Sequence, residues 1–229
     1  GHRPICGDCR AVSSAAAVAA TPVADGLPAP RRYWALTGLW LAMAMTVIDS
    51  TATNIALPTI GRDFGIDPAA ATWIVTAYQI AIVMTLLATA ALAERLGYRR
   101  VYMGGLALFI AMSLACASAR SFEWLAAFRF AQGLGAAAVM GVNGALIRLT
   151  WPKALLGRGL GYNGVVIAGT AAAGPALAAF LLSIGDWHWL FLVNIPAGLF
   201  SLVLAARFAP DRLPETDRFD KASAVLSAA

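Results

Sequence analysis

Charge is scarce in this sequence. Asp, Glu, Lys and Arg make up 13% of its 229 residues, where soluble globular domains carry about 25%. With 60% hydrophobic residues and a mean hydropathy of +0.72, the chain has too little polar surface to cover itself in water, which excludes an ordinary soluble globule. Histidine is scarcer still, with only His2 and His188. An intramembrane serine protease, the alternative that six helices would suit, needs an exposed Ser with a His partner. No Gly-x-Ser stretch occurs and neither His lies deep in an apolar run, so no enzyme is expected. Three cysteines, Cys6, Cys9 and Cys116, give no disulfide framework. Cys6-Gly7-Asp8-Cys9 is a lone pair without a second one, too few ligands for a closed metal site, so neither metal nor cofactor is expected. The surplus of 17 basic over 12 acidic residues, net +5, would suggest nucleic acid if it formed a patch. Here the basic residues stand at the ends of apolar runs, which is a membrane-topology signal, and the expected partner is a lipid bilayer rather than nucleic acid.

What is present is a series of long uncharged runs. Between Arg32 and Arg62 the only charge is Asp49; Asp67 to Glu94, Arg100 to Arg120 and Arg158 to Asp186 carry none. From Glu123 to Arg148 there is only Arg129, and from Asp186 to Arg207 only His188 could add charge. A bilayer core of about 30 Å needs about 20 helical residues. The runs therefore predict six spans, near residues 34–57, 71–93, 101–118, 123–147, 160–183 and 188–207. They are continuous rather than alternating, which rejects a β-barrel and leaves helices as the way to satisfy the backbone in lipid. The expected fold is all-α: a multi-pass six-helix bundle over residues 33–207. Residues 1–32 are expected to be a disordered cytoplasmic tail, 208–221 a cytoplasmic linker, and 222–229 the start of a truncated seventh helix. The chain is expected to be a fragment. Arg31-Arg32, Arg95, Arg99, Arg100, Arg148, Lys153 and Arg158 all fall on one side of such a bundle, so both termini are expected in the cytoplasm, with the bundle in the cell's inner (plasma) membrane.

Two charges interrupt the apolar runs. Asp49 lies about 13 Å along a helix from Pro58, and Arg129 about 9 Å from Glu123, measured from the same side of the membrane. A lone charge at such depth costs at least a few kcal/mol, so the two are expected to pair or to share a polar cavity with Gln132, Asn54 and Thr53. One reading is proton coupling, in which the carboxylate takes up a proton and the guanidinium tunes it; the other is a structural ion pair that fixes helix register. Between the second and third spans, Glu94 among Arg95, Arg99 and Arg100, with Gly97 for a tight turn, forms a charge cluster that is either a switch or a positive-inside anchor, and Glu94 could meet Arg148. The fifth span holds Gly157, Gly161, Gly164, Gly169 and Gly174-Pro175. Small residues at this spacing allow close helix packing, and Pro175 a kink or hinge.

Five stretches together resemble a known family. Asp49–Pro58 (DSTATNIALP) is similar to D-x-T-x-x-N-x-A-L-P. Leu92–Arg100 (LAERLGYRR) resembles the loop motif G-x-L-A-D-R-x-G-R-K. Arg129-Phe130-Ala131-Gln132-Gly133 resembles R-x-x-Q-G, Gly174-Pro175 the core of G-P-x-x-G-G, and Trp187–Pro196 (WHWLFLVNIP) W-R-W-x-F-x-x-N-x-P. The chain thus resembles the amino-terminal half of a major facilitator superfamily transporter, most closely the fourteen-helix drug:proton antiporters. It departs from the motifs at Ala90, Glu94, Gly141, Ala178-Ala179 and His188. The resemblance implies inverted three-helix repeats, proton coupling by Arg129 and control of the inward/outward switch by Glu94, Arg95, Gly97, Arg99 and Arg100. The expected activity is proton-coupled export of a hydrophobic, cationic small molecule by the whole transporter, with the carboxy-terminal half as the missing partner. The alternatives are an inactive remnant, a non-catalytic membrane subunit, or a carrier for another metabolite.

Overall fold

A computed structural model of the chain describes residues 26–210. With no water in hydrocarbon to satisfy backbone N–H and C=O groups, each apolar run closes its own hydrogen bonds as a helix. The first, α1 (Ala29–Phe64), is 36 residues long, or about 54 Å. It begins behind Pro28, with Pro30 in its first turn, where a missing N–H costs nothing. It stops at Gly65, whose φ of 63° is left-handed, with the N–H groups of Gly65 and Ile66 returning to Arg62 O and Gly61 O.

Residues 67–96 form α2 (Pro68–Ala71), capped by the Asp67 carboxylate on the Ala69 N–H at 3.2 Å, and α3 (Trp73–Leu96). Then come α4 (Tyr98–Ala117) and α5 (Phe122–Thr150). A short 3-10 turn, Lys153–Leu155, leads into α6 (Leu156–Ile184), and α7 (His188–Leu192) into α8 (Asn194–Phe208). Among the described residues six helical segments are long and apolar enough to cross a membrane, and no strand occurs. The all-α six-helix bundle is the observed fold.

Three features differ from the sequence reading. Pro58 does not close the first helix; α1 runs through it for six more residues. The Asn54 carbonyl loses only one N–H donor there, and the Pro58 carbonyl accepts from Arg62 Nε at 3.1 Å. Arg31 and Arg32 belong to α1 rather than to the tail. Residues 1–25 of the expected tail, residues 211–221 of the linker, the start of a seventh helix and Cys6/Cys9 lie outside the described residues.

The third difference concerns glycine. The sequence leads one to expect close approach along the fifth span, yet a Cβ at Gly157, Gly161, Gly164 or Gly169 would meet nothing within 4 Å among the described residues. Of the fifth span's small residues, Gly174 packs tightly, with Thr51 of α1 against it, and Gly159 lies against the Trp151 ring. The intimate contacts belong to α5 instead: Gly133 sits against the Tyr78 backbone and Gly135 against Gly105 O and the Phe109 backbone. The reason is position. Helix α5 passes through the middle of the bundle with Gly133, Gly135, Ala136, Ala137 and Ala138 buried, whereas α6 lies at its side with most of its surface uncovered. Helix α3 is similarly uncovered, with Val83, Met84 and Leu87 exposed.

Two apolar cores fill the bundle. One, around Leu36, Tyr102, Phe109, Leu146 and Trp151, lies toward the arginine-rich end. The other, around Ile60, Ile74, Leu125, Trp187 and Phe191, lies toward the opposite end, where the Trp187 indole N–H donates to Asp63 Oδ2 at 2.9 Å. The charged residues of the apolar spans lie between them.

Candidate functional site

Asp49 is 2% exposed and Arg129 is fully buried. They meet: Arg129 Nη1 donates to Asp49 Oδ2 at 2.5 Å, the ion pair formed between described residues. Their backbones belong to α1 and α5, and the similar depths counted along the sequence survive the longer α1 because both were measured from the same end. Gln132, one turn beyond Arg129, completes the link. Its Oε1 accepts from Arg129 Nη1 at 2.7 Å, and its Nε2 donates to Asp49 Oδ1 at 3.2 Å and to Ser113 Oγ of α4 at 2.8 Å. The spacing of three residues puts both side chains on one face of α5.

The other face of the carboxylate is held by a residue that the sequence reading quoted within a motif but gave no role. Asn194, first residue of α8 and 2% exposed, donates from Nδ2 to Asp49 Oδ1 at 2.7 Å. Asp49 therefore accepts from three side chains on two other helices. The Arg129 guanidinium also lies 4.1 Å from the Tyr78 ring centroid and 5.6 Å from that of Phe191, geometry that supports a desolvated cation by cation–π attraction. Two of its nitrogens, Nε and Nη2, have no hydrogen-bond partner among the described residues. Cys116, buried beside this group, points its Sγ at Gln132 Oε1 at 3.8 Å. The signal that could have found Asn194 and Ser113 is simple: each is an amide or hydroxyl side chain inside an otherwise apolar span.

The remaining candidates separate. Thr53 is buried and its hydroxyl donates to the Asp49 carbonyl at 2.7 Å, so it steadies the backbone beneath the carboxylate. Asn54 does not join the cluster; it is exposed on α1, bonds the Ser50 carbonyl at 2.9 Å, and lines an apolar pocket of about 620 Å³ with Leu57, Pro58 and Ile66. One helical residue is a rotation of about 100°, so Thr53 and Asn54 cannot both face Arg129. In the charged loop, Glu94, Arg95 and Arg100 are exposed, Gly97 is buried with φ 97°, a region that disfavours a side chain, and Arg99 Nη2 donates to the Ala206 carbonyl. Glu94 and Arg148 form no ion pair with each other. Farther along α5, Asn143 Nδ2 donates to Asn163 Oδ1 of α6 at 3.0 Å, a polar link that was not anticipated. Gly174 and Pro175 lie inside a continuous α6.

A bundle of six apolar helices that buries an acid, a base and three amide or hydroxyl partners between two hydrophobic cores is a polytopic membrane protein with a polar centre. The Major Facilitator Superfamily profile matches residues 39–228, and the chain belongs to that superfamily. It is 48% identical over 207 residues to the uncharacterized transporter YebQ of Escherichia coli K12, covering 90% of this chain and 45% of YebQ. It is 36% identical over 182 residues to a multidrug resistance protein B homolog of Mycobacterium tuberculosis, covering 79% of this chain and 34% of that protein. The fold is similar to the crystal structure of a bacterial homolog of the human lysosomal transporter Spinster, inward-facing and unoccupied, with a TM-score of 0.64 at 20% identity. That alignment covers 88% of this chain and 50% of the other. The chain spans less than half the length of these curated relatives.

Proposed function

We propose that this bundle is the amino-terminal half of a proton-coupled transporter that exports hydrophobic, cationic small molecules, and that Asp49 is its proton site. The observation that carries the reading is the Asp49–Arg129 pair, closed on all sides by Gln132, Asn194 and Tyr78. Charges at such depth mark ion pathways in membrane proteins. While Asp49 is ionised it ties α1 to α5 and α8. A proton on the carboxylate cancels its charge, leaves Arg129 without a counter-ion and loosens three helices at one point. A change of protonation thereby becomes a change in helix packing, which is what coupling requires. The charged loop of Glu94, Arg95, Gly97, Arg99 and Arg100 is assigned to the inward/outward switch, and Gly164, Gly169, Gly174 and Pro175 to bending of α6, for which the open surface at Gly164 and Gly169 leaves room. Both termini are assigned to the cytoplasm, and the bundle to the inner membrane, by the bias of Lys and Arg. The name of the mycobacterial relative supports drug-like cargo.

The test is transport by the whole protein in proteoliposomes with an imposed pH gradient, comparing wild type with Asp49→Asn and Arg129→Ala. Wild type should drive efflux that collapses on adding a protonophore, and Asp49→Asn should lose the gradient-driven component while still exchanging substrate passively. Gradient-driven efflux at wild-type rate in Asp49→Asn refutes the assignment. Cells carrying the same variants should lose drug resistance in parallel.

A further inference from the structure

At the arginine-rich end, a pocket of about 330 Å³ lies where the start of α1 meets the start of α6. Arg32, Trp40, Trp151, Arg158 and Tyr162 line it, with Leu155 at its edge. The pocket is built rather than incidental. The Leu27 N–H donates to the Thr150 carbonyl at 3.1 Å, strapping the segment before α1 onto the end of α5. The Arg32 guanidinium lies 5.0 Å from the Trp151 ring centroid, Trp151 stacks on Tyr162 at 6.3 Å, and Trp40 meets Tyr162 edge-on at 6.1 Å.

Its polar chemistry points one way. Arg32 Nε, Trp40 Nε1 and Trp151 Nε1 are buried N–H donors without a hydrogen-bond acceptor among the described residues, and Trp151 is only 6% exposed. Buried donors in native proteins are nearly always satisfied, so three around one cavity call for an acceptor from beyond the described residues. Two guanidinium groups line the same cavity and, among the described residues, no carboxylate does. Arginine forks match phosphate oxygens, and indole N–H groups can only donate. Beyond the pocket, on the same face of α6 as Arg158 and Tyr162, Val165 is exposed and offers apolar surface to an acyl chain.

We propose that this pocket binds the phosphate headgroup of an anionic phospholipid, one molecule per chain, and so anchors the α1–α6 junction to the surface of the membrane. Basic pockets between membrane helices bind such headgroups elsewhere. The proposal rests on the chain spanning a membrane and not on proton coupling.

The test is native mass spectrometry of the whole transporter titrated with phosphatidylglycerol or phosphatidylcholine. One phosphatidylglycerol should be retained in a saturable way and phosphatidylcholine should not. The double variant Arg32→Gln/Arg158→Gln should weaken retention about tenfold or more. Trp151→Phe, which keeps the ring and deletes the donor, should weaken it less but measurably. Arg31→Gln, an exposed neighbour outside the pocket, is the control and should leave retention unchanged. Equal retention of the two lipids overturns the proposal, as does equal loss in Arg31→Gln, which would mark a diffuse surface charge. Displacement of the lipid by millimolar glycerol phosphate would reassign the pocket to soluble phosphates and overturn the lipid reading. Because the readout is binding, a failure of transport in the same variants leaves it interpretable.

Discussion

Removing either charge of the central pair should cost far more than removing both. Arg129→Met leaves the Asp49 carboxylate buried with only the amides of Gln132 and Asn194 as donors. Asp49→Asn leaves the Arg129 guanidinium against the Tyr78 ring with only neutral acceptors, Gln132 Oε1 and the new amide oxygen, and no counter-ion. Breaking a buried pair from one side costs about 3–5 kcal/mol, because the surviving charge stays desolvated and uncompensated, whereas replacing both partners by apolar groups is often close to neutral. Cation–π attraction to Tyr78 lowers the penalty for the stranded Arg129 by about 2 kcal/mol at most. Asp49→Asn should therefore be the milder single change. Measured against its own singles Asp49→Leu and Arg129→Met, the double variant Asp49→Leu/Arg129→Met should fall well short of the sum of its parts, with a coupling of at least about 2 kcal/mol in the double-mutant cycle. The assay is unfolding of the purified whole protein in detergent, followed by tryptophan fluorescence across a denaturant series. Additive losses, with no coupling beyond about 0.5 kcal/mol, would show that the two charges stabilise the bundle independently and would refute the reasoning.

Two further changes separate packing from polarity. Asn194→Leu removes the amide that binds Asp49 Oδ1 and should cost about 1–2 kcal/mol in the same unfolding assay, near the upper range for side-chain hydrogen bonds within membranes; no loss would mean that Gln132 alone satisfies that oxygen. Gly135→Val drives a side chain into the Phe109 backbone and Gly105 O, so folded yield on size-exclusion chromatography should collapse, while Gly169→Val, in open space, should leave it unchanged.

The parts of this fold that sequence reveals are those set by one dimension. Each span announces itself because thickness fixes length, and a lone charge in an apolar run announces itself because its cost does not depend on what surrounds it. Asp49 and Arg129 could be matched before any coordinates because depth is a count of residues along two helices that cross the same layer. What stays hidden depends on rotation about the helix axis. Thr53 and Asn54 are neighbours in sequence and equal in polarity, yet one lies beneath the carboxylate and the other faces an apolar pocket. The glycines of α5 and α6 have the same small-residue spacing, and only the position of α5 inside the bundle gives its spacing a neighbour to meet. Pro58 looked like a stop because proline removes an N–H, but a stop also needs the chain to turn, and the turn comes seven residues later at Gly65 with its left-handed φ. Asn194 was missed for a related reason. An amide carries no charge, so its place in an apolar span raised no alarm. It became visible as a ligand of Asp49 only when α8 was laid beside α1. A polar, uncharged residue at the depth of a known buried charge is thus the signal to seek in sequences of this kind, and here it adds a third helix to a junction that charges alone would have drawn with two.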